Sequence, residues 1–174
     1  MGNEEIGLPK YTFKRASSVD ISSIEDFTCG SDELDQKLIQ MKSCDEGTTV
    51  VCIDESKCKI IGYCTYSTSG LTISYENDVV TKPSAEIKYF AIDKEYQHLS
   101  YNEDMNFSDF MLNNVISTLM KISETTISFE YILLYSVQDA VSFYERNGFL
   151  NFSDYMEKDS YTYINDCVPM FMEI

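Results

Sequence analysis

The chain has 174 residues, 44% of them hydrophobic, with three Pro and seven Gly, which suits one domain with a buried core and not a disordered chain. Its 29 acidic and 13 basic residues leave a net charge of −16. A field of that sign repels phosphate backbones and anionic lipid, so no nucleic-acid and no membrane partner is expected. A basic substrate, such as a polyamine or a Lys-rich segment, would be drawn in, although a merely soluble acidic surface has the same composition. No apolar run approaches the roughly 20 residues of a membrane span. The start, Met1 to Ile6, is acidic and has no signal-peptide core. Ile6 stands where a myristoylation motif wants Ser or Thr. A cytoplasmic location follows as the expectation.

In chain order, Tyr11 to Arg15 reads as a first strand. Ser17 to Phe27 carries Val19, Ile21, Ile24 and Phe27 in a helix-like pattern. Cys29-Gly30-Ser31-Asp32 punctuates it, and Ser31 or Asp32 can cap the next helix, Glu33 to Met41, with Leu34, Leu38 and Met41 on one face. Thr48 to Asp54 and Lys59 to Ser67 form a hairpin around a turn at 55–57. Leu71 to Tyr75 reads as a further short strand and Ala85 to Asp93 as the next. Ser108 to Lys121 is a long helix, and the last strand is Pro169 to Ile174. The cysteines are Cys29, Cys44, Cys52, Cys58, Cys64 and Cys167, with no C-x-x-C pair, and the only His is His98. No metal site is expected, and the thiols should be free.

The most telling stretch is Tyr131 to Phe149, Y-I-L-L-Y-S-V-Q-D-A-V-S-F-Y-E-R-N-G-F. An apolar strand ends at Val137. Gln138 or Asp139 opens a helix whose apolar face carries Ala140, Phe143 and Tyr144 at i, i+3, i+4. Asn147-Gly148 stops it, and Phe149 resumes an apolar strand. This resembles the A-x-x-F-Y-x-x-x-G-F signature of the GNAT superfamily, the Gcn5-related acyl-CoA N-acyltransferases. The order β-α-α-β-β-β-α-β-α-β-β resembles that fold over almost the whole chain. F-T-C-G-S-D-E-L-D, from Phe27 to Asp35, resembles an F-x-C-G-x-x-x-L-(D/N) start in one branch that includes toxins acetylating aminoacyl-tRNA. The −16 charge argues against that substrate.

The resemblance implies a single GNAT domain over residues 1–174. Its fold would be mixed α/β (α+β), with a mostly antiparallel central sheet flanked by helices and a V-shaped split between strands 4 and 5. It implies an acetyl-CoA-dependent N-acetyltransferase acting on a primary amine of a small molecule or protein. Whether the protein is a homodimer stays open. The central strand would be A-E-I-K-Y-F-A-I, with backbone groups of Phe90, Ala91 and Ile92 holding the pantetheine arm and the thioester carbonyl. Glu86 stands where one branch has its general base, and Lys88 on the same strand face can neutralise it. An exposed Glu–Lys strand face is the alternative. Tyr144 would protonate the departing thiolate, being neutral at pH 7, or would only pack beside Phe143. Gln97, Ser108, Asp139 and Phe143 complete the implied cofactor contacts.

The chain departs from the family where the central strand meets the next helix. Relatives carry Q/R-x-x-G-x-G/A there, whose amides cradle a pyrophosphate. Here Gln97 is followed by H-L-S-Y-N-E-D-M-N-F-S-D, with no glycine. A left-handed Asn102 or Asn106 could replace one. Ser108 or Asp109 would cap the helix, and Glu103, Asp104 and Asp109 add negative charge. One carboxylate at about 6 Å from a phosphate costs on the order of 3 kcal/mol at an effective dielectric near 20. The second functional expectation is therefore a degenerate domain serving as a binding or regulatory module.

Overall fold

A computed structural model describes residues 11–40, 46–75, 78–153 and 166–174. The strands are β1 (Tyr11–Arg15), β2 (Thr48–Asp54), β3 (Lys59–Tyr75), β4 (Asp78–Ile92), β5 (Tyr131–Val137), β6 (Leu150–Asn151) and β7 (Cys167–Glu173). The helices are α1 (Ile21–Glu25), α2 (Asp32–Gln40), α3 (Phe107–Thr125) and α4 (Val141–Arg146), with 3-10 turns at Ala16–Ser18 and Gln138–Ala140. The strands form one sheet in the order β1-β2-β3-β4-β5-β7-β6. β1 pairs antiparallel with β2, and β7 pairs antiparallel with β5 and β6. β4 and β5 are parallel, as a strand–helix–strand crossover through α3 requires. The mixed α+β fold with a mostly antiparallel sheet is the expected one.

Differences from the sequence reading have local causes. The helix expected over 17–27 is reduced to a 3-10 turn and the five-residue α1, because the extended Asp20 starts a new helix by accepting from the Ser22 amide at 3.2 Å. Ser31 caps α2 as expected, with its hydroxyl 3.4 Å from the Leu34 amide. Met41, placed on the apolar face of that helix, lies outside the described residues. The strand expected at Leu71 to Tyr75 is the continuation of β3.

The described residues form two compact units. One is drawn from Met1–Thr65 and Tyr89–Met111, the other from Tyr66–Lys88 and Leu112–Ile174. In the first, α1, α2 and the segment between them bury Ile24, Phe27 and Leu38 against Val51, Ile53, Ile60, Tyr63 and Ala91 of the strands. Gly62 of β3 is required there: a Cβ would stand 2.8 Å from the Ala91 carbonyl oxygen and 2.5 Å from the Met111 sulfur. In the second unit, Ile132, Leu133 and Leu134 of β5 are consecutive buried residues, the mark of a strand covered on both faces. α3 buries Leu112, Val115, Ile116 and Leu119, a helical stripe.

Pro169 sits inside β7, and its position explains why β6 is short. In an antiparallel ladder a residue's N–H and C=O face the same neighbour. The Pro169 carbonyl accepts from the Phe152 amide at 3.1 Å, so its missing N–H falls on the β6 side. The ladder with β5, from Tyr131–Glu173 to Val137–Cys167, is unaffected.

Candidate active site

β4 and β5 pair only over Ser84–Tyr131 to Ile87–Leu134. β4 runs on to Ile92 and β5 to Val137, beyond the last registered pair. This partial pairing is what the expected split between the fourth and fifth strands requires. Ala91 and Ile92 are buried and Phe90 is half-buried. The Asp93 amide returns to β3 by donating to the Ile61 carbonyl at 2.9 Å.

The connection from β4 to α3 is built from side chains. Asp93, 1% exposed, accepts from the Glu95 amide at 3.0 Å and the Thr28 amide at 3.3 Å, and pairs with Lys59 at 3.3 Å. The Gln97 amide group donates to the carbonyls of Ile92 at 2.9 Å and Cys29 at 2.7 Å. Tyr96 is buried and donates to Asp54 at 3.0 Å. Burial alone would push the Asp54 carboxyl up. Donation from the Ser56 and Tyr96 hydroxyls and the Ser56 and Lys57 amides holds it below the ordinary range. Burial first, and then the same bond, push the Tyr96 phenol well up.

Further along, Tyr101 and Asn102 both donate to the Met105 carbonyl, at 2.8 and 3.0 Å, closing a small loop. The Tyr101 ring stacks on Phe110, 4.1 Å between centroids and 10° between planes, with Tyr11 and Phe107 at its edges. Among the described residues only Cys58 and Asp166 are non-glycine residues with positive φ, so neither Asn102 nor Asn106 forms a left-handed nest. The cap of α3 is Asn106, whose side chain accepts from the Asp109 amide at 3.0 Å, and not Ser108 or Asp109 as expected. Ser108 lies one residue into the helix.

In the second unit, α4 closes in a Schellman motif. The Phe149 amide donates to the Tyr144 carbonyl at 3.1 Å and the Gly148 amide to the Glu145 carbonyl at 3.0 Å. Gly148 has φ +92°, which a side chain would strain. The motif's usual apolar contact is made by the Tyr144 and Phe149 rings, 5.8 Å apart. Phe143 packs edge-on to Tyr144 at 5.0 Å and carries the Arg146 guanidinium over its ring at 5.4 Å. Tyr144 is 8% exposed and Asp139 is exposed in the 3-10 turn. Glu86, opposite Leu133, is half-buried; no ion pair joins it to Lys88 among the described residues. The expected residues thus fall into two groups: Phe90, Ala91, Ile92, Gln97 and Ser108 in one unit, and Glu86, Asp139, Phe143 and Tyr144 in the other.

No family model and no curated protein sequence matches the chain. Solved structures do. A bacterial toxin is 18% identical, with a TM-score of 0.75 over 96% of this chain and 92% of that one. AtaTR bound with acetyl-CoA is 13% identical, with a TM-score of 0.70 over 94% and 93%. AtaT complexed with acetyl-methionyl-tRNA is 14% identical, with a TM-score of 0.69 over 94% and 95%. The chain has the GNAT fold. At these identities the likeness shows the GNAT fold alone, and it covers the chain nearly end to end.

One expectation is overturned. The −16 charge was grounds for expecting no nucleic-acid partner, yet a protein with this GNAT fold is held in a complex with acetyl-methionyl-tRNA. Net charge is a sum over the whole chain. A partner meets a local surface, and at physiological salt charges farther than about 8 Å are largely screened from it. Sequence reading also missed Asp35, Asp54, Asp93 and Tyr96, whose long-range bonds organise the β4–α3 connection. The one signal for them was the F-x-C-G-x-x-x-L-D string, which ends on Asp35.

Proposed function

We infer that the protein is an acetyl-CoA-dependent N-acetyltransferase acting on a primary amine. The observation that carries this is the β4–β5 pairing that stops at Ile87, in a fold shared with AtaTR bound with acetyl-CoA. In this reading the amides of Phe90 and Ile92 hold the thioester carbonyl as negative charge develops on its oxygen. The amine nitrogen attacks the carbonyl carbon, a C–N bond forms and the C–S bond breaks. Glu86 takes the proton from nitrogen, directly or through water, and Tyr144 gives one to sulfur. The products are an N-acetyl amide and CoA thiol. Ala91, Ser108, Asp139 and Phe143 are the further residues that this reading assigns to cofactor binding.

The acceptor's class is read from likeness. The amine of an aminoacyl-tRNA is one candidate, given the AtaT complex; a polyamine or a basic peptide is the other, given the charge. Transfer of labelled acetyl from acetyl-CoA to charged tRNA, spermidine and a Lys-rich peptide separates them. No transfer to any amine, despite acetyl-CoA binding, would sink the enzymatic reading.

A second reading has its own support. The glycine-free connection has no left-handed residue among those described and spends the Gln97 amide on internal carbonyls. That suits a GNAT-fold module without efficient CoA binding. Calorimetric titration with acetyl-CoA decides between the two, since the module should show no saturable heat.

A further inference from the structure

We propose that Asp35 and Gln97 are positioning residues that fix the C-terminal end of β4, and that Gln97 serves the cofactor site through this clamp and not as a ligand. The inference rests on the enzymatic reading for its activity arm only. The clamp begins at Asp35, in the first turn of α2. Its carboxylate accepts from the Cys29 amide and from the Thr28 hydroxyl, each at 2.8 Å. Burial would raise the Asp35 carboxyl, but these donors and the nearby Lys94 charge lower it, so Asp35 is an anion at neutral pH. The fixed Thr28–Cys29 segment then meets the end of β4 at three points. The Thr28 amide donates to Asp93 at 3.3 Å, the Thr28 carbonyl accepts from the Lys94 amide at 2.9 Å, and the Cys29 carbonyl accepts from Gln97 at 2.7 Å.

Gln97 closes the circuit by donating its second amide hydrogen to the Ile92 carbonyl at 2.9 Å. Both acceptors are carbonyl oxygens, so only the NH₂ end of the amide can serve them, and both of its hydrogens are used. No donor remains on Gln97 for a phosphate. A glutamate at 97 would set oxygen against both carbonyls, and a methionine would leave them without a donor. The string from Phe27 to Asp35 is thereby joined to the strand end through Thr28, Cys29 and Asp35, with Tyr63 tying the next turn by donating to the Leu34 carbonyl at 2.8 Å.

The test is amide hydrogen exchange on the unliganded protein, with acetyl-CoA affinity measured beside it, for Gln97→Met and Asp35→Asn. Each variant should speed exchange at Lys94 and Asp93 by about tenfold, the scale of one lost hydrogen bond, with the β5–β7 ladder unchanged. Both should weaken acetyl-CoA binding by a similar factor, and Lys-rich or other amine acceptors should show an unchanged KM. Gln97→Met that weakens acetyl-CoA while leaving exchange at Asp93 and Lys94 at wild-type rates would make Gln97 a direct ligand and overturn the proposal. Unchanged exchange in both variants overturns the clamp itself. If the wild type binds no acetyl-CoA, the enzymatic reading fails, yet the exchange arm still decides the clamp.

Discussion

Two corners of the chain, one in each unit, are built by opposite means. The corner after α4 is made by backbone: Gly148 turns left-handed and two amides close on Tyr144 and Glu145. The connection after β4 is made by side chains, with Asp54, Asp93, Tyr96 and Gln97 reaching partners far away in sequence. A backbone corner needs one residue type at one place, so it leaves a readable signature. A side-chain corner depends on partners up to 68 positions away, as from Gln97 to Cys29, and leaves none.

The sharpest break in the second corner is Asp54→Ala. It leaves the buried Tyr96 hydroxyl and the Ser56 and Lys57 amides without their acceptor, and should cost about 3 kcal/mol in a urea melt. The sign with pH follows from the lowered carboxyl. Its contribution is present above the ordinary value of 3.8 and is lost as pH falls through the lower folded value. Asp54→Asn should flatten the stability profile below about pH 4, where the wild type declines. A profile identical to wild type would show that the Asp54 bonds carry no charge-dependent stability.

At the first corner, Tyr144→Phe separates chemistry from packing. The ring contacts with Phe143 and Phe149 survive the substitution, so stability should fall by no more than about 1.5 kcal/mol, the scale of one hydroxyl hydrogen bond. Loss of an acid that acts only in the transition state should lower kcat about a hundredfold with KM for acetyl-CoA nearly unchanged. Steady-state kinetics with unaltered kcat would return Tyr144 to packing. Gly148→Ala probes the backbone instead. Its φ of +92° predicts a loss of about 1 to 2 kcal/mol by thermal melt. The smallest effect belongs to the acidic side chains of the second corner. Replacing Glu103, Asp104 and Asp109 together by Gln and Asn should strengthen acetyl-CoA binding about threefold, less than the roughly hundredfold a partly buried carboxylate would give, because Glu103 and Asp104 are exposed. Added salt should erase the difference.

The elements legible in the sequence are those with local causes. β1, β2 and β5 stand where alternation and turn residues put them, and the α4 corner follows from its Gly and aromatic spacing. The boundaries that moved have tertiary causes: β3 and β4 run longer than their apolar stretches, and Asn106 takes the cap that Ser108 or Asp109 offered locally. In the candidate site, residue types at Glu86 and Tyr144 were visible while their surroundings were not. The packing of Tyr144 on Phe149 follows from the Schellman closure, whereas the double use of the Gln97 amide could not be foreseen without knowing that Cys29 lies beside Ile92.

Pro169 has a consequence for colloidal behaviour. A sheet edge is a template for strand addition by other chains, and aggregation begins there. Among the described residues the outermost strand on the β7 side is β6, and Pro169, with no N–H to give, holds its ladder to Leu150 and Asn151. The opposite edge, β1, ends on the charged Lys14 and Arg15, which repel an apolar partner. A β-branched residue at 169 would extend the short edge, and the chain would trade a better ladder for a tendency to self-associate.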